Sequence, residues 1–222
     1  KVNYTKTKVL VLNNNITDMK LPNGQIIRAV TDFKYLGSKI MHSFNDFKQR
    51  RGIAFDKFWQ MKNIWQTSTL TLKLRLQLFD SLILTILFYG AESWTLTKQM
   101  TSMLNSFGTT CYRFILGIKR IDHVRNEVVL ETVNRLPLIN TLHCKQLRAL
   151  GHWLRAKENP VSRFALYKPA HGRNRRGRPR TTYIKHVENI TGKTAEELEQ
   201  LAMDCGVWKR GIVGLYESHT PA

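Results

Sequence analysis

The sequence contains few of the features that mark secreted or membrane proteins. Its three cysteines, Cys111, Cys144 and Cys205, are odd in number and widely spaced, which fits neither a disulfide framework nor paired thiolate ligands. Its longest apolar run, from Leu82 to Tyr89, is interrupted by Thr85 and is far shorter than the ~20 residues that span a bilayer. We therefore expect a reducing intracellular compartment, no transmembrane helix and no membrane partner.

Sequence motifs for catalysis are also missing. Phosphoryl and nucleotidyl transfer need clustered carboxylates, because two divalent cations ~4 Å apart must be held against the phosphates. The chain has no pair of adjacent aspartates, and Glu196 and Glu197 fall in the first turn of a predicted helix, where they complement the helix dipole. Adjacent His143 and Cys144 would point about 100° apart on a helix, which suits a metal poorly. We expect no catalytic residue, metal site or cofactor within this chain.

Positive charge dominates the composition. The 222 residues include 35 Lys+Arg against 16 Asp+Glu, a formal net charge of +19. Self-repulsion of this size usually persists only with a polyanionic partner. Nucleic acid is the first candidate and an acidic membrane surface the second. The chain is long enough, and at 42% hydrophobic apolar enough, to bury a core in one or two domains.

Hydrophobic periodicity predicts a mainly α fold that begins with a small antiparallel β-hairpin region. The apolar run Val9–Leu12 and the turn signal Pro22-Asn23-Gly24 indicate strands up to about residue 42. Helical spacing follows, with predicted starts at Ser43, Thr97 and Thr194 and a buried core helix over about 71–89. We expect three parts: 1–42, 43–120 and 121–222, the last containing an exposed basic loop at 168–180.

This basic loop is the sharpest local signal. Glycines and prolines break the periodic pattern, and its arginines have no compensating acid. The core Arg176-Gly177-Arg178-Pro179-Arg180 matches the AT-hook pattern, an extended strip able to lie in the minor groove of A·T-rich DNA. A solvated linker or a nuclear-import signal would have the same composition, so those interpretations stay open.

Aromatic and cationic residues elsewhere allow two interpretations each. The segment Phe33-Lys34-Tyr35-Leu36-Gly37 could press an apolar surface and a cation against a nucleic-acid strand, or form an ordinary half-buried strand. Arg50 and Arg51 on the polar side of their helix could meet phosphate or water. The tryptophans fall mostly on apolar helix faces, which favours core packing over base stacking; they are Trp59, Trp65, Trp94, Trp153 and Trp208.

Six segments spread over nearly the whole chain match one family in order and spacing. They are Asn3–Lys8, Phe33–Ile40, Leu87–Trp94, Leu147–Arg155, Arg176–Arg180 and Leu201–Cys205 ahead of Trp208. Together they resemble the C-terminal part of the reverse transcriptase encoded by non-LTR (LINE-type) retrotransposons. Members of that family often have Arg before the final Trp, where this chain has Cys205, and an aromatic ring where it has Thr182 or Tyr183.

The resemblance implies a role for each part. Asn3–Lys8 would close the palm domain after the catalytic aspartates, Phe33–Gly37 would be the primer grip, and the following helices would form the thumb along the primer-template minor groove. Catalytic Mg²⁺ would bind in a palm before Lys1, so the chain alone would be inactive and its parent would be an RNA-directed DNA polymerase. The implied partners are RNA–DNA primer-template, element RNA, target DNA and upstream palm and fingers domains, in nucleus and cytoplasm.

Two other hypotheses stay open: a non-enzymatic DNA-binding protein that acts through the basic loop, and a degenerate fragment that folds without a present function. The residues predicted to contact nucleic acid are Lys6, Lys8, Phe33, Lys34, Tyr35, Leu36, Gly37, Arg50, Arg51, Arg173, Arg175, Arg176, Arg178, Pro179 and Arg180.

Overall fold

A computed structural model describes residues 3, 6–10, 18–30, 33–35, 37–39, 43–156 and 182–216. The chain divides into two compact units, Lys1–Asp46 and Phe47–Ala222. Helices before and after residue 120 lie in the same unit, and the three-part functional division stays a prediction.

The first unit contains short paired strands. They are β1 (Val9–Leu10), β2 (Met19–Lys20), β3 (Ile26–Ile27), β4 (Ala29–Val30), β5 (Lys34–Tyr35) and β6 (Ser38–Lys39). The β2–β3 and β5–β6 pairs are antiparallel hairpins, as predicted. In contrast to the antiparallel expectation, β1 pairs with β4 in parallel, because these two strands are connected through the β2–β3 hairpin and not by a single tight turn. Gly24, with φ +80°, completes the predicted turn between β2 and β3.

The described chain after residue 42 is helical. Its α-helices are α1 (Ser43–Gln60), α2 (Lys62–Gln66), α3 (Leu72–Leu78), α4 (Thr85–Leu87), α5 (Lys98–Leu116), α6 (Asn126–Thr132), α7 (Leu138–Arg155), α8 (Tyr183–Thr191), α9 (Ala195–Met203) and α10 (Cys205–Trp208). Phe79–Leu84 and Lys209–Val213 are π-helical, and Ala91–Ser93, Arg120–Asp122 and Gly214–Tyr216 are 3₁₀ turns. The mainly α fold with short N-terminal strands is confirmed. None of the helices in the described ranges is long and apolar enough to cross a bilayer.

Local sequence signals explain where helices begin and end. The Thr97 hydroxyl accepts a hydrogen bond from the backbone N–H of Met100 at 3.2 Å, and Gly117 ends α5 with φ 75°. Thr194 and Glu197 form the predicted capping box, each side chain accepting the other's backbone N–H at 3.3 and 2.8 Å. Such caps satisfy N–H groups that have no partner inside the helix.

The predicted core helix over 71–89 is interrupted by the π-helical segment Phe79–Leu84. The helix was predicted from an apolar stripe made of Leu72, Leu76, Phe79, Leu82, Ile83, Ile86 and Tyr89. Phe79 and Ile83 of this stripe are fully buried, as predicted. However, the helix ends at Leu87, and Phe88 has already left helical geometry with φ −96° and ψ 15°. Tyr89 is therefore 52% exposed, although the stripe placed it in the core.

Aromatic rings from α1, α2, the π-helical segment and α5 pack together in one core. Phe58, fully buried, stacks on Trp65 with centroids 5.2 Å apart, and its carbonyl accepts a hydrogen bond from Trp65 Nε1 at 2.7 Å. Arg75 fixes two neighbouring helix ends by donating to the carbonyls of Trp65 and Ile115 at 2.7 and 2.9 Å. One guanidinium group thus holds the C-terminal ends of α2 and α5 together beside the aromatic core.

A second core surrounds α7 and is shaped by a close contact at Gly151. Trp208, 2% exposed, donates from Nε1 to the carbonyl of Leu147 at 3.0 Å. A Cβ at residue 151 would lie 2.7 Å from Cδ1 and Cε2 of Trp208. Only glycine lets the indole approach α7 this closely.

We predict that Gly151→Ala destabilises the protein by about 1–3 kcal/mol, because the added methyl group overpacks a buried contact. Gly52→Ala is the matched control, since Gly52 lies within α1 with no atom within 4 Å of a Cβ at that position. That control should gain about 0.5–1 kcal/mol, the usual helix preference of Ala over Gly. Urea unfolding followed by circular dichroism measures both, and equal effects of the two substitutions would contradict the packing argument.

Candidate nucleic-acid interface

The first unit contains the predicted palm and primer-grip residues. Lys6 and Lys8 are exposed on either side of Thr7, in a segment held by hydrogen bonds from the backbone N–H groups of Lys6 and Thr7 to the Asn3 carbonyl at 3.2 and 3.0 Å. Both ammonium groups are accessible to solvent, and their contact with nucleic acid stays a prediction.

The predicted primer grip forms a tight hairpin. Phe33 is half-buried, Lys34 and Tyr35 form β5, and Tyr35 pairs with Ser38 across a two-residue turn. Gly37 has φ +88°, which favours glycine. Leu36 lies outside the described residues. The structure thus places Lys34, Tyr35 and Gly37 in one short hairpin, with Phe33 directly before it.

The predicted basic loop lies outside the described residues. That loop contains Arg173, Arg175, Arg176, Arg178, Pro179 and Arg180. Its minor-groove and nuclear-import interpretations both stay predictions.

In the helical unit, Arg50 and Arg51 are half-buried on α1 and lie over aromatic rings. The guanidinium carbon of Arg50 is 4.5 Å from the centroid of the Tyr89 ring, and that of Arg51 is 5.9 Å from the Phe55 ring. Such cation–π contacts contribute about 0.5–1 kcal/mol at exposed sites. Because Tyr89 is 52% exposed, the Arg50–Tyr89 pair presents a cation and a ring together at the surface.

One tryptophan is exposed, contrary to the prediction that the tryptophans pack in the core. Four of the five tryptophans are at least partly buried, but Trp59 is 44% exposed. It lies beside an open groove of about 660 Å³ that includes Arg113, Phe114, Arg120 and His123. The sequence position of Trp59 could have predicted this exposure. Adjacent helical residues point about 100° apart, so Trp59 points away from the face that buries Phe58.

The segments Leu147–Arg155 and Leu201–Cys205 have a structural role in the described chain. Besides the Gly151–Trp208 contact, Arg155 donates to the carbonyl of Ala202, near the end of α9, at 3.0 Å. Asp204 accepts the backbone N–H groups of Gly206 and Val207 at 2.7 and 2.9 Å. These two N–H bonds, that from Val207 first, lower the pKa of the Asp204 carboxyl. Two distant parts of the sequence resemblance therefore meet in one packed helical cluster.

Two histidines pack together between α7 and α8. The His143 ring is 5.8 Å from the His186 ring and 5.2 Å from the Tyr216 ring. Burial, reinforced by His186, lowers the pKa of His143 to about 4, and burial also lowers the pKa of His186. Both rings are neutral at pH 7. No group of three or more His, Cys, Asp or Glu side chains within the described ranges could hold a metal ion.

We predict that this histidine pair makes the protein acid-sensitive. Between about pH 6.5 and 4 the unfolded state binds more protons at residue 143 than the folded state does, so the unfolding free energy falls as pH decreases. His143→Phe should reduce that fall, whereas His152→Gln, at an exposed position of α7, should leave it unchanged. Urea unfolding at pH 4.5, 5.5 and 7 measures the unfolding free energy of each variant. An identical pH dependence in His143→Phe and wild type would show that His143 does not cause the acid sensitivity.

Comparison with known proteins gives one informative likeness. The chain is 29% identical over 172 residues to a Caenorhabditis elegans protein described as transposon-derived and uncharacterised. The alignment covers 71% of this chain and 60% of that protein, so the chain spans less than two thirds of its relative. No family model matches, and no solved structure matches. The likeness supports a transposon-related origin.

Proposed function

We propose that this chain is the primer-grip, thumb and C-terminal portion of a retrotransposon RNA-directed DNA polymerase, and that it holds a primer-template duplex. The observation that carries the proposal is the Gly37 hairpin directly followed in sequence by a helical unit. These elements occur where the sequence resemblance expects a primer grip and a thumb. The likeness to a transposon-derived protein supports the same origin.

Charge and surface chemistry support a duplex ligand. A duplex carries one phosphate charge per ≈ 1.7 Å of axis, and neutralising those phosphates releases condensed counterions. The chain supplies a net charge of +19, and exposed lysines such as Lys6 and Lys8 lie in the unit that contains the hairpin. The Arg50–Tyr89 pair on the helical unit adds a cation beside an exposed ring.

Polymerisation itself is proposed only for a longer parent polypeptide. Mg²⁺ would supply phosphoryl-transfer chemistry in an upstream palm domain. The described residues do not fit that ion, because none of their His, Cys, Asp and Glu side chains form a cluster of three. Within the parent, this chain would orient the primer end and hold the duplex, with element RNA and target DNA as further ligands and the nucleus and cytoplasm as its location.

We predict that the purified chain binds an RNA–DNA primer-template more tightly than an A·T-rich DNA duplex or single-stranded RNA. If about six phosphates are neutralised, affinity should fall about 10³-fold between 50 and 200 mM salt. Fluorescence anisotropy with labelled ligands across a salt series measures both quantities. Affinity that barely changes with salt would sink the proposal.

The basic loop provides the control for the alternative DNA-binding hypothesis. Replacing Arg178 and Arg180 together with Ala should leave the preference for primer-template in place. If the double substitution instead removes most of the affinity and the A·T-rich duplex is the best ligand, the non-enzymatic DNA-binding hypothesis replaces the polymerase one.

A further inference from the structure

The open groove beside Trp59 lies within the helical unit, between α1, the end of α5 and the loop that follows. We name it the Trp59 groove, and its main lining residues are Trp59, Arg113, Phe114, Ile118, Arg120 and His123. Trp59 meets Phe114 and Phe58 nearly at right angles, with centroids 4.7 and 5.4 Å apart. Two ring contacts therefore hold the indole in place while 44% of the residue stays exposed.

The groove carries positive charge that its own lining does not balance. Arg113 donates through one nitrogen to the Val124 carbonyl at 2.5 Å and to Asn126 Oδ1 at 3.0 Å, and both acceptors are neutral. Arg120 is exposed at the rim. The lining residues include no Asp or Glu. Asp122, in the same loop, uses its carboxylate to accept the backbone N–H of Lys119 at 2.7 Å. A negatively charged ligand in the groove would thus meet two arginines and no carboxylate among the lining residues.

Shape and chemistry together define the occupant. The groove has a volume of about 660 Å³, within the range of small-ligand sites. Its lining combines the apolar side chains of Phe114 and Ile118 with the cations of Arg113 and Arg120. This combination suits a ligand that has a flat unsaturated face and an attached anion, as a nucleotide does. Bases inside a duplex are already stacked on one another, so an exposed indole stacks on bases that are unpaired.

We propose that the Trp59 groove binds single-stranded nucleic acid, with an unpaired base stacked on Trp59 and the adjoining phosphate held by Arg120 and Arg113. This inference rests on the proposed function and deepens it, because a polymerase must hold single-stranded template beyond the duplex. The groove reads no sequence in this arrangement, since every base has a face that can stack.

The test compares anisotropy of labelled oligouridine, oligothymidine and a blunt RNA–DNA hybrid on the full chain. Trp59→Ala should weaken binding of the single strands about 5- to 100-fold, the usual effect of losing one base–aromatic stack, and leave the blunt hybrid unchanged. Trp59→Phe should retain much of the affinity. Arg120→Gln should weaken single-strand binding more than Lys57→Gln, a matched loss of charge at an exposed position of α1 that does not line the groove.

A second readout locates the contact directly. Oligouridine containing 5-iodouridine should crosslink to Trp59 or Phe114 under ultraviolet light, as mapped by peptide mass spectrometry. Thermal unfolding checks that each variant folds.

The outcomes separate the two proposals. Salt-dependent binding of the hybrid, together with single-strand affinity that Trp59→Ala leaves unchanged, would overturn the groove and keep the proposed function. Single-strand binding that depends on Trp59, with no preference for primer-template, would keep the groove and overturn the thumb assignment. Crosslinks only outside the groove would also overturn the groove proposal, and a protein segment would then be the occupant to seek.

Discussion

A buried amide on α7 joins the two cores of the helical unit. Gln146 has no exposed surface, and its Nε2 donates to the carbonyl of Trp94, 52 residues away in sequence, at 2.8 Å. Since a carbonyl only accepts, this bond fixes the orientation of the amide and turns Oε1 toward His186 Nε2 at 3.2 Å. The His186 ring must therefore carry its proton on Nε2. The Gln146 side chain thus links the segment before α5 to α8. Breaking its bond to the Trp94 carbonyl or to His186 would leave a buried polar group unsatisfied, at a cost of about 1–3 kcal/mol.

Helix limits were the most predictable part of the fold, because they depend on local chemistry. Thr97 and Thr194 cap helices through hydrogen bonds that span three residues, and Gly24 and Gly117 adopt positive φ at chain reversals. The π-helical Phe79–Leu84 segment was not predictable in this way. The spacing of 3.6 residues per turn does not hold across such a segment, and Leu82 within it is 37% exposed although Leu82 belongs to the predicted apolar stripe.

In the candidate site too, local features could be predicted from the sequence, whereas contacts between distant residues could not. Arg50 and Arg51 could be chosen from the polar face of α1, but their ring partners depend on tertiary packing. Tyr89 lies beyond the end of α4 at Leu87, where helical spacing no longer predicts which residues are exposed. Trp59 was assigned to the core because tryptophans usually pack there. Likewise, sequence spacing could not show that Gly151 and Trp208 touch. The family resemblance identified the segments that contain Gly151 and Trp208, but only the contact between these residues shows that the segments stabilise the fold.

Three arginines of the helical unit, Arg75, Arg113 and Arg155, donate hydrogen bonds to neutral groups, whereas Arg135 is paired with the Asp80 carboxylate at 2.6 Å. Arg75 bonds to carbonyls at the ends of α2 and α5, and Arg155 bonds to one near the end of α9. A cation at a helix C-terminus is favourable because it meets the negative end of the helix dipole. Yet these acceptors carry only partial charge, and Arg113 likewise bonds to neutral groups. These three arginines therefore stabilise helix ends and loops through bonds that do not cancel their positive charge. The same arginines that hold the helices together thus contribute to the positive potential that attracts a polyanion. Stability of the helical unit and binding of the proposed ligand therefore depend on the same positive charges.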